Sequence, residues 1–198
     1  MRAYCWIALF LAPLVTADTS LQQRLEPIQS LAGDFSQRVL AEDGAELERS
    51  SGQFKLLQPG YFSWHIQNPD EQLLLASGST LLHYDVELET ATERQLGDTD
   101  GRGPLAILSG DEAELTRLYT IEQISDTSYR LLPRNTRGDV VELILSFEAD
   151  LPHEISVSDR LRQTTVIRFD AVQLNPTLVA EDFHFEPPPG VDLYFNER

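Results

Sequence analysis

Between Ser51 and Val86 the chain reads SGQFKLLQPGYFSWHIQNPDEQLLLASGSTLLHYDV, and this stretch restricts the fold more than any other. Residues 60–67 alternate with period two, Phe62, Trp64 and Ile66 on one side and Tyr61, Ser63, His65 and Gln67 on the other. The turn formers Pro59-Gly60, Asn68-Pro69-Asp70 and Gly78-Ser79-Thr80 divide the stretch into strands over 51–57, 60–67, 71–77 and 81–86. Connections this short join antiparallel neighbours. Their apolar sides are therefore expected to add into one curved surface carrying Phe54, Phe62, Trp64, Leu74, Leu82 and Tyr84. Such a surface requires a cover.

The rest of the chain offers strands and a few short helices. Asp18-Thr19-Ser20 supplies N-cap oxygens, and Leu21, Leu25, Ile28 and Leu31 recur at helical spacing, so an amphipathic helix is expected from about Leu21 to Ser30, interrupted by Pro27. Residues 34–40 alternate as a first strand, Glu42-Asp43-Gly44 turns the chain, and residues 45–57 return. Residues 87–95 read as a charged outer strand. A glycine-rich polar loop then leads to a short apolar knot, Pro104 to Leu108, which reads as one helical turn that must dock on a neighbouring apolar surface. Asp111 caps a second helix over 112–118, and strands follow over 119–124, 128–132, 140–147, 155–157 and 164–169. Pro187-Pro188-Pro189-Gly190 stiffens the tail. The expected class is α+β: an incomplete antiparallel β-barrel of about ten to eleven strands, a strongly curved sheet, with a lid of short α-helices over an apolar cavity.

Residues 1–17, MRAYCWIALFLAPLVTA, combine one positive charge at Arg2, an apolar run and a small-residue end, the pattern of a cleaved secretory signal peptide. The expected mature domain is 18–198, beginning at Asp18, with no stable membrane anchor. Cys5, the one cysteine, lies inside the signal, so the mature chain has no thiol chemistry, no disulfide and no thiolate metal site. Without Arg2 the chain has 14 basic residues against 32 acids, and the formal charge moves from −17 to −18. That surface repels phosphate backbones and anionic headgroups, which argues against nucleic acid as a partner. It also leaves room for a partner that docks through a basic patch.

No catalytic signature emerges. The chain has no Gly-x-Ser-x-Gly elbow, no phosphate-cradling glycine loop and no paired-histidine helix with an intervening glutamate. His65 and His83 fall on nearby strands where they could face each other, but zinc needs three or four converging ligands, so neither metal nor cofactor is expected. Asp159, Gln163 and Thr165 form a polar turn of ordinary composition. What remains is the concave face, with Phe35 and Phe147 added from flanking strands. Pattern alone leaves two readings of it, an ordinary core or a cavity, and the glycine-flanked turn at Pro104, Leu105, Ile107 and Leu108 favours a cavity under a cover that can lift.

An ordered set of motifs resembles one family. Phe35-x-Gln37, Ser51-Gly52-x-Phe54, Pro59-Gly60-x-Phe62-x-Trp64, Pro69-x-Glu71-Gln72, Gly78, Tyr84-Asp85, Pro104 to Leu108 and Phe183-x-Phe185-x-Pro187-Pro188-x-Gly190-Val191 together resemble the outer-membrane lipoprotein carrier proteins, the LolA family. The resemblance runs over nearly all of Leu21 to Leu193. It implies a non-enzymatic, monomeric carrier in the periplasm. Such a carrier takes acylated lipoproteins from an inner-membrane ABC transporter, holds the acyl chains in the cavity and passes them to a receptor lipoprotein on the outer membrane. Phe62 and Trp64 fall on the family's cavity and mouth strand and Pro104 to Leu108 on its lid. Before Pro59, where well-studied carriers hold the lid with arginine, this chain has Gln58, so Arg102 is a second latch candidate. Gln58 and the acidity also keep open a carrier of another lipid or amphiphile, or a lipid-sensing regulatory module.

Overall fold

Alternation along the strands turns into a single sheet whose inward side chains meet. The computed structural model describes residues 20–95, 107–108 and 112–196; the signal stretch, Arg102, Pro104, Leu105 and Asp111 lie outside these. The strands are β1 (Ser30–Leu40), β2 (Glu46–Leu57), β3 (Tyr61–Asn68), β4 (Gln72–Ser77), β5 (Thr80–Asp85), β6 (Thr90–Gln95), β7 (Tyr119–Ser125), β8 (Ser128–Pro133), β9 (Val140–Glu148), β10 (Leu151–Asp159), β11 (Thr164–Leu174) and β12 (Asp192–Asn196). They form one 12-stranded sheet in the order β12-β6-β5-β4-β3-β2-β1-β11-β10-β9-β8-β7. Two meanders join where β1 pairs with both β2 and β11. The sheet does not close on itself, so β12 and β7 are its two edges.

The inner face carries the main core. Leu81 on β5 and Leu131 on β8 belong to one apolar cluster, although eight strand steps separate them, roughly 38 Å if the sheet were flat. Only a five-residue helix, a seven-residue helix and the turn at residues 107–108 help to cover that cluster among the described residues. The sheet curls, so that side chains from strands this far apart meet in one core.

Helix α1 (Leu21–Leu25) starts with a reciprocal cap: Ser20 Oγ accepts from Gln23 N at 3.3 Å, and Gln23 Oε1 accepts from Ser20 N at 3.2 Å. It ends five residues earlier than the sequence pattern suggests, because Pro27 stops it and Ser30 already pairs in β1. Its apolar residues Leu21 and Leu25 enter the core, and Ile28 follows them just past the helix. Arg24 shares that side and bridges to the far half of the sheet. Its guanidinium donates to Tyr129 Oη (3.0 Å), Ala149 O (3.0 Å) and Asp126 O (2.8 Å) and lies 5.3 Å from the centre of the Phe147 ring. Helix α2 (Glu112–Leu118) buries Leu115, and Arg134 Nε holds its end by donating to Thr116 O and Tyr119 O.

Several expectations need correction. The strands number twelve because the tail adds β12, five residues too few to show a period, and β12 pairs in parallel with β6. Residues 87–95 are therefore not the outer strand: the paired segment is Thr90–Gln95, with β12 outside it. β10 starts at Leu151, not Ile155, and runs through Pro152. Proline is tolerated there because pairing with β11 begins only at Glu154, leaving that side of Pro152 without a ladder partner.

The return of the chain to β12 covers the outer face. Asn175, at φ 53°, accepts from the amides of Gln29 and Ser30 and donates to Pro27 O, which pins the exit of β11. The following segment lays Leu178, Phe183 and Phe185 over Leu75 and Leu82 before Gly190, at φ 100°, releases it toward β12.

Three substitutions, in two experiments, test this account. At Gly52, beside a bulge in the β2–β3 ladder, an added Cβ comes 1.8 Å from the His65 carbonyl oxygen. Gly52→Ala is expected to cost about 3 kcal/mol. Gly44→Ala, at φ 83° with open space around it, should cost only about 1–2 kcal/mol from backbone strain. Arg24→Ala is expected to cost about 2–3 kcal/mol through loss of charged hydrogen bonds and to leave the N-terminal helix the first site of proteolysis. Urea midpoints and limited digestion measure both; equal midpoints for the two glycine variants contradict the first, and an unchanged digestion pattern contradicts the second.

Candidate functional site

The candidate site is the inner face of the first meander and what lies on it. Register fixes which side chains share that face, because directly paired residues on neighbouring strands point the same way. One row runs Gly33–Phe54–Trp64–Leu74–His83, and the next runs Leu31–Leu56–Phe62–Ala76–Leu81. Phe35 lies across from Gly52. Its ring stacks on Trp64 with centroids 3.5 Å apart, and Trp64 also meets Phe62 and Phe54 at 6.1 and 6.3 Å. Phe169 extends the aromatic layer, 5.0 Å from Phe54. On the far half Phe147 meets Tyr129 edge to face at 5.9 Å.

The structure brings together six of the eight expected cavity residues: Phe35, Phe54, Phe62, Trp64 and Phe147 are buried in one cluster, with Leu74 partly buried against it. Leu82 and Tyr84 do not join them. Leu82 pairs with Leu75, and Tyr84 with Leu73, which puts both on the outer face in a second cluster built with Leu75 and Phe183. Tyr84 there meets Phe185 at 4.9 Å. The sequence carried a signal for this: Leu73-Leu74-Leu75 and Leu81-Leu82 are unbroken apolar runs, and a strand without alternation is a strand covered on both faces.

Ile107 and Leu108 form a short 3-10 turn, each 1% exposed, and both belong to the inner cluster with Leu115 of α2. The turn is thus buried in the inner cluster, as expected of an apolar knot that cannot bury itself alone. Pro104 and Leu105 lie outside the described residues, as does Arg102. Gln58 precedes the cis Pro59 bond, and its amide donates to Gln29 O at 2.9 Å, tying the end of β2 to the segment that follows α1. The sequence reading missed Arg24. Its spacing, three after Leu21 and four before Ile28, was the available signal, since it puts a cation on an apolar stripe.

Among the described residues the histidines and Asp159 are dispersed and locally paired. His65 pairs with Leu73 while His83 pairs with Leu74, so the two rings sit on opposite faces. His65 bonds Glu71 at 2.8 Å and His83 bonds Gln72 at 3.2 Å. Among the described residues no group of three or more potential ligands could hold a metal. Asp159 closes its own turn, accepting from Gln163 N at 2.8 Å. Tyr119, beside α2, has its phenol pushed up from its usual range by burial and by the nearby Glu114, which keeps it neutral. What the site offers is apolar area and aromatic surface.

The comparisons with known proteins agree with this character. The sequence model described as "Outer membrane lipoprotein carrier protein LolA" matches residues 26–186. A protein of Halorhodospira halophila named outer-membrane lipoprotein carrier protein is 36% identical over 192 residues, covering 95% of this chain and 91% of its own. One of the same name from Bordetella avium is 32% identical over 193 residues, covering 93% and 92%. Among solved structures, an uncharacterized conserved protein from Thermus thermophilus superposes with a TM-score of 0.56 at 10% identity, covering 88% of this chain and 98% of that one, a likeness of fold alone. Spanning most of the chain at this identity, and in keeping with the apolar inner face, these matches place the chain in the LolA family of outer-membrane lipoprotein carriers.

Proposed function

We propose that this protein carries the acyl chains of lipoproteins through the periplasm, receiving them from an inner-membrane ABC transporter and delivering them to a receptor lipoprotein on the outer membrane. The observation that carries the reading is the inner face itself: Phe35, Phe54, Phe62, Trp64 and Phe147 in one cluster, with Ile107 and Leu108 buried in the same cluster. An acyl chain pays about 0.8 kcal/mol for each methylene exposed to water, so an acylated protein does not cross an aqueous compartment unaided. A bilayer and an apolar pocket are nearly equal solvents for that chain. Loading then gains little and draws on the transporter, while unloading requires only a receptor that binds slightly better.

In this reading residues 107–108 and the segment before them are the lid, and acyl chains take the place that Ile107 and Leu108 hold in this structure. The exchange is between similar apolar contacts, which keeps its cost low. Arg102 holds the lid in the role that arginine before the Pro-Gly turn has in relatives, because Gln58 offers neutral donors where arginine offers five charged ones. The acidic surface suits partners that dock through basic patches.

Transfer from spheroplasts tests the proposal. Incubated with the purified protein, they should release acylated lipoproteins into the supernatant, and Phe62→Glu or Trp64→Glu should cut release at least tenfold while the far-ultraviolet spectrum stays native. Full release by either variant that remains folded sinks the assignment of the inner face. Arg102→Ala should raise binding of an apolar naphthylamine dye to the ligand-free protein about threefold, as expected for losing one or two hydrogen bonds that hold the lid. Equal dye binding removes Arg102 from the latch.

A further inference from the structure

One polar residue in the inner face has no structural reason to be there. Ser50 on β2 is 3% exposed, and its Oγ is buried with no hydrogen-bond partner. By register it lies opposite Gln37 of β1, two residues along from the Phe35–Gly52 pair, and alternation puts all four positions on the same inward side. Gln37 in turn lies across from Ile167, which continues the apolar face to Ile155 on β10. Gln37 is half-buried, and its side-chain amide makes no hydrogen bond to a described residue. The two thus form a polar notch at one border of the aromatic surface, with Phe35 and Trp64 on one side and Ile167 and Ile155 on the other.

A buried hydroxyl left unpaired costs about 1–3 kcal/mol relative to one that is paired. Alanine would fill the same place in an ordinary core without that cost. Ser50 Oγ can donate one hydrogen bond and Gln37 Nε2 two, and both face a surface suited to a hydrocarbon chain.

Resting on the carrier reading above, we infer that Ser50 and Gln37 form the subsite for the carbonyl oxygen of a bound acyl chain. That oxygen is the one strong acceptor an acyl chain brings with it, whether the linkage is an ester or an amide. Ser50 Oγ donates to it, Gln37 supplies a second donor, and the alkyl chain runs over Trp64 and its neighbours. A hydrogen bond inside an apolar site sets the depth at which the chain stops, which hydrocarbon contacts alone do not.

Three probes with the same sixteen-carbon chain separate the possibilities: 1-palmitoylglycerol (an ester), N-palmitoylserinol (an amide) and 1-hexadecylglycerol (an ether without a carbonyl), each competing with the naphthylamine dye. The wild-type protein is expected to bind the ester, the amide or both about 3- to 10-fold tighter than the ether, the worth of one such hydrogen bond; preference for only one names the linkage. In Ser50→Ala that preference should vanish while ether affinity holds, and the melting temperature of the ligand-free protein should stay equal or rise. Equal affinity for all three probes in the wild type, the result if Ser50 holds only a water molecule, overturns the subsite and leaves the carrier reading standing. So does a Ser50→Ala variant that loses all probes equally and melts lower, the mark of a packing role. Failure of the dye to bind wild-type protein overturns the carrier reading and the subsite together.

Discussion

The stack of Phe35 on Trp64 ties the two halves of the sheet to one interior. Phe35 belongs to β1, the strand shared by both meanders, and Trp64 lies two strands away. For rings so placed to meet at 3.5 Å, the sheet has to bend sharply between them, and the bend is made at Gly52, where a side chain cannot fit against the His65 carbonyl. Everything inward follows from that bend. Phe54 and Phe169 close in from one side and Phe62 from the other, and the concavity becomes narrow enough for two short helices and one apolar turn to help cover it.

The cover and the sheet differ in how they are held. Strand pairs are held by backbone ladders with a few bulges, and α1 is fastened by Arg24 to two turns, at Asp126 and Ala149, and to Tyr129 on β8. Ile107 and Leu108 are buried in the inner apolar cluster. Apolar contact has no preferred direction and is exchanged readily for contact with another apolar body. The LolA-family chain thus combines a sheet frame held by hydrogen bonds with an apolar interior that also receives this short turn.

The outer face shows a different solution to the same problem of covering an apolar surface. Leu73, Leu75, Leu82 and Tyr84 are covered by the chain's own C-terminal segment through Leu178, Phe183 and Phe185. That segment is anchored at its start by Asn175 and at its end by the β6–β12 ladder. Fixed at both ends, it is part of the frame. The first meander is thus apolar on both sides, its outer side covered by the C-terminal segment and its inner side turned to the main core.

Sequence by itself determined the strands of the first meander, their antiparallel order and the helix at Glu112–Leu118, since alternation, turn residues and caps are local properties. It also named the aromatic residues of the inner face, because Phe35, Phe54, Phe62 and Trp64 follow the two-residue period of their own strands. Tertiary structure decided what period cannot express. Leu82 and Tyr84 went to the outer face because β5 pairs Leu82 with Leu75, and a one-residue choice of register sends every side chain to the opposite side. β12 exists only because β6 offers it an edge, and Arg24 matters only because two distant turns and the Tyr129 hydroxyl of β8 converge on it. Ser50 was one more small polar residue in a strand until folding enclosed it, since burial is a property of the whole chain and not of any stretch within it.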